Sequence, residues 1–135
     1  MRKKSALIWG LAALLAAAIL AGGLLHGRRP LKDLRAGDVT EIRTGLYPPD
    51  TEFILTREEI EKLVPLLNEV VIYREDDSFR EYDGQAVIFT VTKKDGTKTT
   101  LQAYNPFFII DGTGYRTKYA PCAALNRFGN GLTRK

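Results

Sequence analysis

An apolar segment near the N-terminus limits what this chain can fold into. Residues 6–27 contain no Asp, Glu, Lys or Arg, and His26 is the only polar side chain in this stretch. As a helix rising about 1.5 Å per residue, the segment would extend about 33 Å, and the hydrocarbon core of a bilayer is about 30 Å thick. A helix that is apolar on every face cannot lie on the surface of a small globular domain. We therefore expect residues 6–27 to be a transmembrane helix.

The residues that flank this segment leave its direction open. Residues 1–5 form a short basic tail, and Arg28 and Arg29 follow the segment directly. Since positive residues favour the cytoplasmic side and both flanks are positive, charge alone does not decide the orientation. A short basic tail followed at once by an apolar stretch is the usual layout of an exported protein. This favours a single-pass protein of the cell membrane with an extracytoplasmic domain.

The length of the segment favours an uncleaved signal anchor. The apolar region of a secretory signal is shorter, about 7–15 residues. Small residues at 16–18 and 21–23 nevertheless offer cleavage sites, so a cleaved, secreted protein is the alternative. Residues 20–23 are similar to a bacterial lipobox, but Gly23 stands where the lipidated cysteine is required. Lipid attachment at this position is therefore excluded.

The rest of the chain has the composition of one globular domain. Hydrophobic residues make up 44% of the 135 residues and charged residues 27%, as in ordinary folded proteins. The net charge of +4 arises mainly from Arg2, Lys3 and Lys4, without which 17 basic residues face 16 acidic ones. The basic character thus belongs mostly to the N-terminal tail, and nucleic acid is not expected as a partner.

Sequence patterns predict an α+β domain at 38–130, after a linker at 28–37 and before a tail at 131–135. Thr56 and Glu59 form a capping box at the start of a helix, within which Pro65 predicts a kink or an early end. A second, short helix is expected at 121–128, stopped by Gly129. Runs of β-forming residues occur at 38–47, 53–55, 70–73, 86–92, 97–104, 107–110 and 115–118.

Tight turns between the later runs predict how these elements are arranged. Residues 94–96 and 111–114 contain glycines that favour turns between adjacent strands. We expect an antiparallel sheet of about five to six strands, with one main helix on one face and a short C-terminal helix. Adjacent Phe107 and Phe108 point to opposite faces of their strand, which suits either an exposed interface or a sheet covered on both faces.

Few residues of the domain are suited to catalysis. His26 is the only histidine, and the only serines are Ser5 and Ser78, so a Ser–His or Cys–His pair cannot form within the domain. We expect a protein that is not an enzyme and that needs no cofactor. Cys122 is the only cysteine. We expect it to be a small buried residue of the C-terminal helix, with a reactive thiol or an intermolecular disulfide as the alternatives.

An acidic loop offers a first candidate site. Crowded carboxylates can bind Ca²⁺. The spacing does not match an EF-hand, because Arg80 and Glu81 occupy the positions of a ligand and of the required glycine. A solvated loop is the favoured interpretation, and the candidate cation ligands are Asp76, Asp77, Glu81 and Asp83.

The C-terminal quarter offers a second candidate site. From Gly112 onward the chain contains no acidic residue. Basic residues placed among aromatic ones can bind anionic lipid or an anionic cell-wall polymer. The alternative is that the aromatic residues belong to the core and the charges are solvated. The candidate contacts are Arg116, Lys118 and Arg127.

Three features of the domain carry a resemblance to a known group of proteins. They are Thr56-Arg57-Glu58-Glu59-Ile60, Lys94-Asp95-Gly96, and Ile110-Asp111-Gly112 leading to Tyr115. The region resembles the small uncharacterised membrane-anchored or lipoprotein-like α+β domains of Gram-positive bacteria. The resemblance implies a fold and a location in the cell envelope, and no activity. Gly23 in place of the lipobox cysteine departs from the lipoprotein members.

These observations favour a non-catalytic extracytoplasmic interaction or sensing module. Its expected partners are the bilayer, through residues 6–27, and an unidentified membrane or cell-envelope protein. Recognition of anionic lipid or wall polymer through the basic C-terminal region is the alternative function.

Overall fold

The computed structural model describes residues 27–134. The predicted transmembrane segment, except for Gly27, lies outside the described residues, and so does the basic tail. Among residues 27–134, none of the helices is long and apolar enough to cross a bilayer.

The described residues form an antiparallel sheet that carries two α-helices. The α+β class and the antiparallel sheet are confirmed, but the sheet has seven strands instead of five to six, since a short strand pairs at each edge. The spatial order is β2-β1-β4-β5-β6-β7-β3. The strands are β1 (Val39–Tyr47), β2 (Thr51–Ile54), β3 (Ile72–Glu75), β4 (Ala86–Lys93), β5 (Lys98–Tyr104), β6 (Phe107–Ile110) and β7 (Thr113–Thr117).

Strands β4 to β7 form a meander connected by short turns. Asp95 Oδ1 accepts hydrogen bonds from the backbone N–H and the hydroxyl of Thr97. Asp111 and Gly112 both have positive φ and form the turn before β7. The turn predicted at 111–114 is therefore two residues too long, because Thr113 and Gly114 already pair with β6.

Helix α1 (Arg57–Asn68) begins with the predicted capping box. The Glu59 N–H donates to Thr56 Oγ1, and the Thr56 N–H donates to Glu59 Oε1. The helix continues past Pro65 and ends three residues later. Pro65 is on the exposed side of the helix, where water can solvate the carbonyl that a proline leaves unpaired.

Helix α2 (Tyr119–Gly131) is longer at both ends than the sequence predicts. The prediction that Gly129 stops it is wrong. A Cβ at Gly129 would lie 2.6 Å from Val87 Cγ1, so this glycine allows the helix to approach the sheet closely. A short 3-10 turn, Leu132–Arg134, follows the helix, and the Leu132 side chain is 5% exposed within the core.

Both faces of the sheet are covered, at least in part. The helices lie on one face, where they bury apolar side chains from β1, β4, β5 and β6. On the opposite face, the connection from β3 to β4 crosses three strands, and its Phe79 and Tyr82 rings pack on Phe107. Phe107 and Phe108 are consequently both buried, which favours a covered sheet over an exposed interface at this position.

Residues 28–37 lie against the domain. The backbones of Arg28 and Ile72 exchange two hydrogen bonds, each 2.9 Å long. Asn68 Nδ2 donates to the carbonyl oxygens of Leu31 and Leu34, and both leucine side chains pack on the core. The segment treated as a linker in the sequence is thus held by the sheet edge and by the end of α1.

Candidate functional site

Arg116, a candidate for anion binding, forms an ion pair within the domain. Its Nε lies 2.9 Å from Asp76 Oδ2, and its guanidinium lies 4.8 Å from the centre of the Phe107 ring. Lys118 and Arg127 differ from it, because both are exposed and make no ion pair with a described residue. Arg116, Lys118 and Arg127 therefore do not form one cluster of unpaired basic side chains.

Asp76 is held by three donors from its surroundings. Its Oδ1 accepts a hydrogen bond of 2.9 Å from the Ser78 N–H. The hydrogen bonds from Ser78, followed by that from Arg116, lower the pKa of Asp76 to about 2. The carboxylate is thus ionised at neutral pH and already neutralised by an arginine, which makes it a poor cation ligand.

The rest of the acidic loop is also shaped by contacts within the chain. Asp77 Oδ1 accepts a 2.9 Å hydrogen bond from the Gly114 N–H, while the Asp76 N–H donates to the Gly114 carbonyl. Glu81 and Asp83 are exposed. Between residues 27 and 134, no three His, Cys, Asp or Glu side chains are grouped so that they could hold a metal ion.

A cleft of about 390 Å³ lies between the N-terminal segment and the β4–β5 hairpin. We call it the N-terminal cleft. Its floor is apolar and includes Val91 and Leu101, and its rim carries three acidic and three basic residues. Five of these six charged side chains are exposed to water, so their hydrogen-bonding needs are met by solvent. The rim charges are Asp33, Asp38, Asp95, Arg35, Lys93 and Lys94.

A second recess, of about 370 Å³, lies where β5 ends. It is lined by residues 82–85, by residues 104–106 and by Asn126. We call it the tyrosine pocket, because Tyr82 and Tyr104 both line it. The end of the β3–β4 connection, the β5–β6 turn and helix α2 each contribute one side of this pocket.

Packing beneath the pocket holds its aromatic side chains in place. The Tyr82 and Phe107 ring centres are 5.7 Å apart, and Tyr82 remains 58% exposed above a buried Phe107. A Cβ at Gly84 would lie 2.9 Å from the Tyr104 hydroxyl, so the glycine leaves space for that side chain. The Arg116–Asp76 pair supports the same Phe107 ring through the guanidinium.

Several polar groups of the tyrosine pocket have no partner among the described residues. Asn105 Nδ2 donates to the Tyr119 carbonyl oxygen, but Asn105 Oδ1 is buried without a hydrogen bond. The other side chains in the described part of the chain that line the pocket and make no hydrogen bond or ion pair there are Tyr82, Asp83, Tyr104 and Asn126. Only Asn105 Oδ1 among these groups is buried, and a buried polar atom without a partner is uncommon. Tyr82 and Asp83 are exposed, so their polar groups are open to water or to an external partner.

Gln85 shows how a polar side chain is used structurally in the same region. Its Nε2 donates to the Pro48 carbonyl oxygen and its Oε1 accepts from Asn130 Nδ2, both at 2.9 Å. Gln85 therefore fixes the end of the loop to the top of β1 and to α2. The unpaired Asn105 Oδ1 of the same pocket is not explained by such a role.

Cys122 is fully buried in α2, as expected from the sequence. Its Sγ lies 3.6 Å from the Phe107 carbonyl oxygen. Burial raises the pKa of this thiol to about 12. A protonated, inaccessible thiol is a packing residue and a poor nucleophile.

The tyrosine pocket was not predicted as a site from the sequence. Its members come from three separate elements, and only the topology brings residues 82–85 beside Asn105 and Asn126. No family model, curated protein or solved structure matches this chain. The geometry of the domain is accordingly the basis for assigning its function.

Proposed function

We propose that this protein is a non-catalytic interaction module, anchored in the cell membrane by residues 6–27 with its domain outside the cytoplasm. In this proposal the tyrosine pocket is the contact site. The observation that carries it is a recess that brings the rings of Tyr82 and Tyr104 beside the amides of Asn105 and Asn126, with Asn105 Oδ1 buried and unpaired. Aromatic faces and hydrogen-bonding groups that converge on one recess are the usual components of a recognition site.

The residues available for chemistry support the non-catalytic part of the proposal. The domain from residue 27 onward contains no histidine, and its single serine is Ser78. The Ser78 N–H is bound to Asp76, and Cys122 is buried and protonated. The described residues therefore contain neither a histidine that could act as a general base nor an exposed thiol that could act as a nucleophile.

Site-specific photo-crosslinking in intact cells tests the proposed contact site. A photoreactive benzoyl-phenylalanine replaces Tyr82 in one strain and Tyr119 in a control strain. Both tyrosines are exposed, 58% and 70% respectively, but only Tyr82 lines the pocket. We expect an adduct of increased mass from position 82 alone. Equal adducts at both positions, or none at either, would contradict the pocket as the contact site.

Protease added to intact cells tests the location. A tag placed after Lys135 should be digested, and the protein should stay with the membrane fraction. A protected tag would put the domain in the cytoplasm and overturn the proposed orientation. Tagged protein in the culture medium, shorter by its N-terminal segment, would support the alternative of a cleaved, secreted protein.

Recognition of an anionic polymer is a second candidate function. The observation in its favour is that Lys118 and Arg127 are exposed on or beside α2, which contains no acidic residue. Arg116 is committed to Asp76, so it contributes less than the sequence indicates. The remaining positive charge is small and exposed, and salt would screen its attraction for a polyanion.

Polyglycerol phosphate, a soluble anionic polymer, can test this second function. Binding to the full-length chain should be lost when Lys118→Glu and Arg127→Glu are combined. The matched control combines Lys94→Glu with Lys98→Glu, which reverses two exposed charges on the β4–β5 hairpin. Binding that survives the α2 changes would exclude Lys118 and Arg127 as the contact.

A further inference from the structure

We propose that the ligand of the tyrosine pocket is an uncharged saccharide. This inference rests on the proposed function, since it names the chemical class that the same pocket recognises. The pocket volume of about 370 Å³ falls within the range of about 300–1,000 Å³ that is usual for small-ligand sites. A short saccharide unit fits a recess of this size.

The charge of the pocket argues against an anionic ligand. Among the described residues that line it, none is Lys or Arg, and Asp83 supplies a single carboxylate. A phosphate or carboxylate group would therefore meet the negative charge of Asp83 without a cation in the pocket lining. The ligand must be neutral or positively charged.

The hydrogen-bonding groups decide between a neutral and a cationic ligand. The Asn126 amide and the hydroxyl groups of Tyr82 and Tyr104, which line the pocket, can each both donate and accept hydrogen bonds. A quaternary ammonium can neither donate nor accept a hydrogen bond. A primary ammonium can donate hydrogen bonds but has no lone pair with which to accept one. A sugar hydroxyl does both, so a polyhydroxylated ligand satisfies more of these groups than a cation does.

The aromatic side chains of the pocket match the apolar face of a sugar ring. One face of a pyranose presents C–H groups, which pack on the negative face of an aromatic ring. Tyr82 offers such a face, because it stands 58% exposed above Phe107. The Tyr82 ring thus can take the apolar face of the sugar while the amides and Asp83 take its hydroxyl groups.

The support for these rings is already in place without a ligand. Phe107 is held from one side by the Arg116 guanidinium and contacts both Phe79 and Tyr82. Little side-chain ordering is then required on binding, which lowers the entropic cost of taking up a weakly bound ligand. The Arg116–Asp76 pair acts in this inference as a positioning element, at a distance from the ligand.

The experiment measures binding of saccharides to the full-length chain in lipid nanodiscs that contain no choline or sugar head groups. The probes are chitotetraose, maltotetraose and cellotetraose, with choline as a cationic comparison, followed by calorimetry. We expect at least one saccharide to bind with a dissociation constant of about 1 mM or tighter. The affinity should not change between low and high salt, since no ion pair forms.

Matched variants connect the binding to the pocket. Tyr82→Ala and Asn126→Ala should each weaken binding by about tenfold or more, because each removes a direct contact. Tyr119→Ala is the control, since its side chain is 70% exposed and lines no part of the pocket. It should leave the affinity unchanged. A thermal melt of each variant separates lost contacts from lost folding.

Asp83→Asn distinguishes the two classes of ligand. An amide can still bond to sugar hydroxyls, so a saccharide should lose about threefold or less, whereas a cation would lose its only opposite charge. Choline binding that disappears in Asp83→Asn would overturn the inference in favour of a cationic ligand. No binding by any of the three saccharides at about 10 mM would overturn it as well.

The source of the sugar can be tested in the same system. A free oligosaccharide and a glycolipid incorporated into the nanodisc carry the same recognition chemistry, and comparing their affinities shows which form is preferred. The outcome also separates this inference from the proposed function. A photo-crosslinked adduct at Tyr82 without any saccharide binding would keep the interaction module and exclude the saccharide.

Discussion

Arg116 Nε lies 2.9 Å from Asp76 Oδ2, so a residue of the basic C-terminal candidate site neutralises a residue of the acidic candidate site. The Arg116 guanidinium also lies over the Phe107 ring. Arg116 and Asp76, which the sequence offered as ligand-binding residues, therefore hold the β3–β4 connection against β7.

The first prediction concerns the acid stability that this pair confers. The pKa of Asp76 is lowered from 3.8 to about 2, so its stabilising effect is present above 3.8 and is lost as the pH falls through about 2. Asp76→Asn should be less stable than the native chain at neutral pH. In urea unfolding experiments the difference should shrink steadily below about pH 4.

Asp83→Asn is the matched control for this prediction. Asp83 belongs to the same connection but makes no ion pair with a described residue. Its removal should leave the unfolding midpoint nearly unchanged across the same pH range. A constant difference between the Asp76 variant and the native chain would contradict the assignment of the lowered pKa to folding.

The second prediction concerns a buried hydroxyl group under the helices. Thr44 is fully buried in β1, and its Oγ1 has no hydrogen-bond partner among the described residues. Thr44→Val replaces the hydroxyl with a methyl group of similar size. We expect the free energy of unfolding to rise by about 1 kcal/mol, since an unpaired buried polar group is removed.

Thr117→Val should have the opposite effect. Thr117 is also buried, at 7% exposure, but its hydroxyl donates to the Val71 carbonyl oxygen at 2.7 Å. Removing that hydrogen bond should cost about 1 kcal/mol. If Thr44→Val destabilised the domain as much as Thr117→Val does, the Thr44 hydroxyl would have to be paired in solution.

The third prediction concerns the thiol of Cys122. Because burial raises its pKa from 9.0 to about 12, an aromatic disulfide reagent should react at least about a hundredfold more slowly with the native chain than with the unfolded one. The raised pKa contributes stability that is complete below 9.0 and is lost as the pH rises towards 12. The stability difference between the native chain and Cys122→Ala should therefore shrink above about pH 9. Rapid modification of the native thiol would contradict its burial.

The fourth prediction concerns the contact between the β3–β4 connection and β7. A Cβ at Gly114 would lie 2.5 Å from the Asp76 carbonyl oxygen and 2.6 Å from Phe79 Cδ1. Since a backbone atom cannot simply rotate away, Gly114→Ala should cost about 1–3 kcal/mol. Gly37→Ala is the control, because nothing lies within 4 Å of its Cβ position. Denaturant midpoints of the two variants test the difference, and equal midpoints would contradict it.

Local chemistry explains why much of the fold could be predicted. The Thr56–Glu59 capping box, the alternation of β4 and the glycine turns depend on neighbouring residues, and all appear in the structure. The end of α2 could not be predicted in this way. Gly129 has the chemistry of a helix stop, and only the distance to Val87 shows that it serves a close approach.

The candidate sites depended on contacts that no local pattern contains. Asp76 and Arg116 are 40 positions apart in sequence, so their pairing follows from the edge position of β3 beside β7. The tyrosine pocket likewise needs Asn126 of α2 beside residues 82–85. Side chains such as these look like ordinary loop residues until the topology is known.

The pairing of Arg28 with Ile72 has a consequence for where a ligand can be found. Ile72 pairs with Thr117, and the Thr117 N–H donates to the carbonyl oxygen of Pro106, which lines the pocket. Arg28 and the pocket are therefore separated by successive strands, a distance of about 15 Å. If residues 6–27 lie in the bilayer, the sheet begins directly after the membrane segment, without a flexible linker between them. The pocket would then stay close to the lipid head groups. A ligand in the same membrane would reach it by diffusion in two dimensions, at a high effective concentration. A polymer farther out would have to approach the membrane to be bound.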